Sequence, residues 1–247
     1  MINGQGKIME RLNRTELLIG DAGIEKLRNA CVTVCGLGAV GSYAVEALAR
    51  AGVGSLRIVD YDVVNKTNIN RQLYALHSTI GEKKAAVAKK RILDINPECH
   101  VEVFDTFINH GTNPDVLAAP FDVLIDAIDS LSAKFHLIMD AYREGIYVIS
   151  SMGAAGRVDA NLVTSGDLSE THTCPLARFV RHRLHRQDIF TGVRCIYSTE
   201  IPKKKQEEEQ LPNDGSRTAP VLGSISYLTG IFGLKAAYEA IDFILNK

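Results

Sequence analysis

Residues 31–41 read Cys-Val-Thr-Val-Cys-Gly-Leu-Gly-Ala-Val-Gly, and this stretch decides the fold. Its first half, Cys31 to Cys35, is an apolar, β-branched run of strand length. Its second half sets Gly36, Gly38 and Gly41 in the G-x-G-x-x-G spacing. Glycines there let the backbone turn tightly and approach a phosphate, and the following helix N-terminus attracts negative charge. Gly38 to Arg50 predicts that helix, with Val40, Ala44, Ala47 and Leu48 on its apolar face.

Outward from the turn, strands and helices alternate. Ser55 to Val59 predicts a second strand, closed by Asp60 and Asp62. Lys83 to Leu93 predicts a helix ended by Asn96-Pro97, then strands at Val101 to Phe104 and Val123 to Ile125. Ala133 to Arg143 reads as a helix and Tyr147 to Ser150 as a fifth strand. This order gives an α/β fold, a Rossmann-like, mostly parallel sheet with helices on both faces. After Gly156 the pattern changes. Strand-like pieces at Asn161 to Thr164 and Arg194 to Tyr197 flank a basic helix and extend the sheet. Lys203 to Gly215 reads KKKQEEEQLPNDG, opposed charge blocks with no apolar anchor, and predicts a solvated loop. The apolar stretch Val221 to Leu234 predicts a buried C-terminal helix, with a subunit interface as one setting for it. It is shorter than the roughly 20 residues of a membrane span, which makes membrane attachment the minority reading.

Composition bounds the function. A net charge of −1 means that a nucleic-acid partner must be met by a local patch, not by the whole surface. Five cysteines without a C-x-x-C pair suggest neither a disulfide framework nor a zinc ribbon, and a reduced, cytoplasmic setting fits. Met1 to Arg14 shows no apolar signal region.

Asp60 follows Gly41 by 19 residues, close to the roughly 20 expected of an acid that binds ribose hydroxyls. So far a dehydrogenase or a non-catalytic NAD-sensing module would fit equally. The next residues separate the readings. Asn68, Asn70-Arg71-Gln72, Lys84 and Asp126-Ala127-Ile128-Asp129 follow in quick order. Arg71 offers a planar fork to phosphate oxygens and Lys84 a point charge. Asp129, expected at the C-terminal end of a strand, can hold Mg2+ against those oxygens. Together they describe a site for ATP.

These motifs resemble the superfamily of ubiquitin-activating-type enzymes. The match runs through Arg11-Leu12-Asn13-Arg14, the glycine turn, Asp60-Tyr61-Asp62, Asn68 to Gln72, Gly81 to Lys84 and Asp126 to Asp129. The resemblance implies carboxylate adenylation at a homodimeric site. Gly36, Gly38, Gly41, Asp60, Asp62, Asn68, Arg71, Gln72 and Lys84 would hold ATP, Asp129 would bind Mg2+, and Arg14 would be lent by the partner subunit. It implies one adenylation domain over residues 1–247. The nucleotide-binding half would cover about 1–152, the half for substrate, tRNA and dimerisation about 153–247.

The second half selects the branch. Sulfur-carrier activators carry two C-x-x-C pairs, absent here. Met152 to Asp159, Asp167-Leu168-Ser169 and Thr171 to Arg178 are similar to the tRNA threonylcarbamoyladenosine dehydratases. That likeness implies a tRNA substrate, and leaves open a sulfur-relay protein partner. Cys174-Pro175-Leu176 departs from the Asp-Pro-Leu usual in that branch. Arg178, Arg181, Arg183 and Arg186, with His182 and His185, form a basic stripe suited to a tRNA backbone, or else a solvated face. Cys174 and Cys195 lie where some relatives place an acyl-accepting thiol, and His172 could act as a base. The rival reading is an activator of a Gly-Gly-tailed sulfur-carrier or ubiquitin-like protein.

Overall fold

The computed structural model describes residues 6–118, 120–203 and 222–247. Most of the expected charged loop at 203–215, and Val221, lie outside the described residues.

Seven strands form one sheet: β1 (Cys31–Cys35), β2 (Ser55–Val59), β3 (His100–Phe104), β4 (Val123–Asp126), β5 (Tyr147–Ser151), β6 (Val163–Asp167) and β7 (Val193–Ser198). Their order is β3-β2-β1-β4-β5-β7-β6. Every pairing is parallel except β6 with β7, which is antiparallel. From β1 the chain steps outward to β3, then crosses back to start β4 on the other side of β1. That reversal opens a crevice at the carboxyl ends of β1 and β4, where open α/β sheets bind ligands.

Successive side chains of a strand point to opposite faces, and the sheet core divides accordingly. Val32, Val34, Leu56, Ile58, Ile125 and Ile149 pack against α2 (Gly41–Ala51), α3 (Lys84–Ile95) and α7 (Ser226–Asn246). Cys35, Val59, Leu124 and Val148 pack against α5 (Leu131–Arg143), α6 (Pro175–His185) and the short α4 (Asn113–Leu117). Helices therefore cover both faces, as the alternation predicts.

Boundaries shift for local reasons. α2 starts at Gly41, not Gly38, because the glycine turn uses residues 36–40. Asn161 belongs to a short 3-10 turn, and the strand after it begins at Val163. α7 starts at Ser226 and runs past the expected end to Asn246. One side of it is buried through Leu228, Phe232, Ala236 and Ala240, while Tyr227, Leu234 and Tyr238 are exposed. Among the described residues no helix is long and apolar enough to cross a membrane. The polar N-terminus forms α1 (Gly6–Asn29), a helix broken at Gly20 and not anticipated from the sequence.

Candidate nucleotide-binding site

The glycine turn sits at the crevice and is shaped by the loop beyond β4. A Cβ at Gly36 would come within 2.8 Å of the Ala127 carbonyl oxygen, and one at Gly41 within 1.8 Å of the Gly36 carbonyl oxygen. Those two glycines are required by the protein's own packing. Gly38 is different, because the nearest atom to a Cβ there would be Gln72 Nε2 at 3.6 Å. Its open side is where a phosphate can reach the backbone.

Asp60 faces this turn. Its Oδ2 accepts the Leu37 N–H at 2.6 Å and its Oδ1 the Asp62 N–H at 2.8 Å. Burial pushes its pKa up. Asp60 is expected at a ribose; each of its oxygens accepts one backbone N–H, which fixes the carboxylate against the turn and leaves a second lone pair on each oxygen. Asp62 is the more exposed carboxylate. Its Oδ2 accepts a hydrogen bond from Lys84 Nζ at 2.7 Å, and its carbonyl accepts the Lys84 N–H at 3.0 Å. Lys84 is buried at the first residue of α3, so its ammonium is carried to the crevice on a rigid element.

Asn68 closes a 3-10 turn by accepting the Asn65 N–H on Oδ1 at 3.0 Å. Gln72 is buried beneath Gly38. Arg71 donates through Nη1 to the Thr67 carbonyl at 3.0 Å and to Asn70 Oδ1 at 2.9 Å. These bonds orient the guanidinium while the Nε and Nη2 edge stays available among the described residues. Asn70 Nδ2 donates to the Ser224 carbonyl at 3.1 Å, tying this turn to the segment that enters α7.

Asp129 was expected at a strand end. β4 stops at Asp126, and Asp129 is exposed in the loop leading to α5. The Tyr61 phenol is pushed up by the charge of Asp62, with burial and the charge of Asp129 adding to it. The loop that carries Asp129 abuts the glycine turn, for the Ala127 N–H donates to the Cys35 carbonyl at 2.8 Å, and Lys84 and Asp60 join Asp62 to the same end of the sheet.

Beneath the Asp129 loop lies a network the sequence reading missed. Lys134 Nζ donates to Asp126 Oδ2 at 2.6 Å, to Ser150 Oγ at 3.3 Å and to the Ser151 carbonyl at 3.0 Å. Ser150 Oγ also donates to Asp126 Oδ2 at 2.6 Å, and Asp126 Oδ1 accepts the Ile128 N–H at 3.1 Å. Asp126 thus fixes the backbone that carries Asp129. A signal was present: Lys134 shares the i, i+3, i+4, i+7 face with Leu137, Ile138 and Ala141, a lone lysine in a buried stripe.

Arg14 is not brought to this site within one chain. Arg11, one turn away, donates to Asn96 Oδ1 at 2.6 Å, and Asn96 Nδ2 donates to the Val53 carbonyl at 3.1 Å. Val53 lies just before β2, at the amino ends of the strands, and the crevice is at their carboxyl ends. Arg14 is exposed there.

The basic stripe divides. Arg178, His182, His185 and Arg186 are exposed along α6 and just beyond it. Arg181, expected at a phosphate, instead spends Nη1 on the Leu168 carbonyl, the Thr171 carbonyl and Thr171 Oγ1 at 3.2, 2.7 and 2.6 Å. It anchors the segment before α6, which the sequence could not show because those acceptors come from another element. Arg183 lies over the rings of Phe179 and Phe135 at 5.0 and 5.2 Å.

The thiols are poorly placed for acyl transfer. Cys174 is buried ahead of α6, and Cys195 is fully buried within β7. Burial pushes the Cys195 thiol far up, away from the thiolate that reacts. His172 is exposed, with Nδ1 2.9 Å from Thr173 Oγ1.

Comparison with known proteins gives the family. Residues 12–247 match the ThiF family. The tRNA threonylcarbamoyladenosine dehydratase of Bacillus subtilis is 42% identical over 212 residues, covering 85% of this chain and 84% of that protein. The crystal structure of the Escherichia coli tRNA N6-threonylcarbamoyladenosine dehydratase, TcdA, in complex with ATP superposes with a TM-score of 0.86 at 33% identity, covering 96% of this chain and 95% of that one. The complex of that enzyme with AMP matches with the same TM-score at 34% identity, again covering 96% of this chain and 95% of that one.

Proposed function

The chain belongs to the ThiF family, and we propose that it is an ATP-dependent tRNA threonylcarbamoyladenosine dehydratase. The observation that carries this reading is end-to-end similarity to enzymes of that name, one of which binds ATP and AMP, over both the crevice and the α6 region.

The chemistry follows from a poor electrophile. The threonine carboxylate of the modified nucleoside cannot lose oxide. Its oxygen attacks the α-phosphorus of ATP, pyrophosphate leaves, and the acyl group now carries AMP as leaving group. The neighbouring carbamoyl group attacks the acyl carbon within the same molecule and expels AMP, giving a ring with net loss of water. A tethered nucleophile has a high effective concentration, so the protein's share is positioning and charge neutralisation.

In this reading Gly38 admits the phosphates, Arg71 and Lys84 neutralise them, and Asp60 meets the ribose hydroxyls, with Asp62 holding Lys84 in place. Mg2+ is commonly held by one or two carboxylates together with phosphate oxygens, and the exposed carboxylate of Asp129 fits that donor set. When bound, the metal would offset negative charge on the phosphates. Arg14 reaches a crevice only in a second subunit, which makes the working unit a homodimer. The exposed Leu17 and Leu18 of α1, with Tyr227, Leu234 and Tyr238 of α7, supply apolar surface for it. The tRNA would meet Arg178 and Arg186, and the enzyme would work in the cytoplasm.

Purified protein incubated with ATP, Mg2+ and tRNA bearing threonylcarbamoyladenosine tests this. Nucleoside mass spectrometry should show a product lighter by one water. No such product, with adenylate formed on a Gly-Gly-tailed protein instead, would overturn the proposal.

A further inference from the structure

Exposed aromatic rings stand among the cations of α6 and of the turn that follows it. Phe179 is 38% exposed and Phe190 is 55% exposed. The Arg183 guanidinium is held against Phe179 and, on α5, against Phe135. Phe190 packs at 5.1 Å on the His185 ring. Its position is fixed from below. The Gln187 and Ile189 N–H groups both donate to the Leu184 carbonyl, at 2.8 and 3.1 Å, and Ile189 is buried. The backbone turns back through Asp188 at φ 59. Phe190 is therefore presented outward by a set turn.

Phosphate contacts alone need no rings, and a basic helix that serves only charge has no reason to expose two phenylalanines. Unpaired nucleotides give such a reason. Bases splayed from an RNA loop stack on aromatic rings and guanidinium planes while nearby cations meet the backbone. The place is suitable. Phe135 lies four residues into α5, so its ring is roughly 6 Å along the axis from the helix start, just beyond the loop that carries Asp129. Resting on the tRNA reading above, we propose that Phe179 with Arg183, and Phe190 with His185, form a stacking surface. Its occupants are unpaired nucleotides flanking the modified adenosine, while Arg178 and Arg186 meet their phosphates. Rings held in place before binding lose little freedom on contact, which favours affinity.

The test compares two RNAs and two variants. One RNA is the anticodon stem-loop bearing threonylcarbamoyladenosine, the other a fully paired stem with the same number of phosphates. Phe179→Leu/Phe190→Leu should weaken stem-loop binding about tenfold or more. Its salt dependence, its ATP binding and its weak affinity for the paired stem should stay as in the parent. Arg178→Gln/Arg186→Gln should flatten the salt dependence on both RNAs. Equal affinity of the phenylalanine variant and the parent for the stem-loop would overturn the stacking surface but leave the tRNA reading standing. A parallel loss on the paired stem, or dissociation of the variant into smaller species on sedimentation, would also overturn it, the latter by marking this face as a subunit contact. A parent that binds neither RNA at any salt would overturn both.

Discussion

Lys134 Nζ lies 2.6 Å from Asp126 Oδ2, and both side chains are completely buried. The pair joins α5 to the end of β4 and, through Ser150 and the Ser151 carbonyl, to the end of β5. Removing one partner would strand a buried charge, which typically costs about 3–5 kcal/mol. Lys134→Met should lower the unfolding free energy by about that amount in urea denaturation, and adding Asp126→Asn should restore part of it. A loss below about 1 kcal/mol would mean that water reaches the site in the variant.

Asp129 carries the metal assignment. Asp129→Asn removes the charge where a metal would sit and should cut pyrophosphate release by orders of magnitude. The residue is exposed in a loop, so thermal stability should be nearly unchanged. Release at the parent's rate would remove Asp129 from the site.

Arg14 and the crevice lie at opposite ends of the strands in one chain, which gives a subunit-mixing test. Arg14→Ala and Asp129→Asn proteins should each be inactive. After subunit exchange the mixture should regain activity, because a mixed dimer holds one intact site. With exchange verified, absence of recovery would mean that Arg14 does not act across subunits.

The arginines of α6 should separate by role. Arg181→Gln removes a side chain that makes three hydrogen bonds to its own chain, and should lower the melting temperature. Arg178→Gln and Arg186→Gln should leave the melting temperature alone. Each should lower the slope of log affinity against log salt by about 0.9 on a tRNA stem. A steeper effect from Arg181 than from the other two would reverse the assignment.

Burial also bears on covalent catalysis. The Cys99 thiol is pushed up to about 11, chiefly by burial, and Cys195 further still. Cys174→Ala and Cys195→Ala proteins should therefore keep substantial turnover, and no acyl-thioester should be trapped after acid quench. A trapped thioester at either position would require a different mechanism.

The sequence by itself determined the alternation of strands and helices, the glycine turn and the order of the polar motifs, because each is written in local periodicity or short spacing. Residues 31–41 alone carry strand, turn and helix start. It also put forward Arg71, Lys84 and Asp129, whose residue types and order suit a triphosphate and its metal. The tertiary structure decided what each polar group faces. Asp60 and Asp62 stand two residues apart, yet one turns in to Leu37 and the other out toward Lys84. Arg178 and Arg181 share a stripe, yet only the second finds carbonyls from a preceding segment. Lys134 stands out as a lone lysine in an apolar stripe, yet its partners are set only when β4 and β5 close around it. Hydrogen-bond partners of these groups come from elements distant in the chain, and no local pattern encodes which element will arrive.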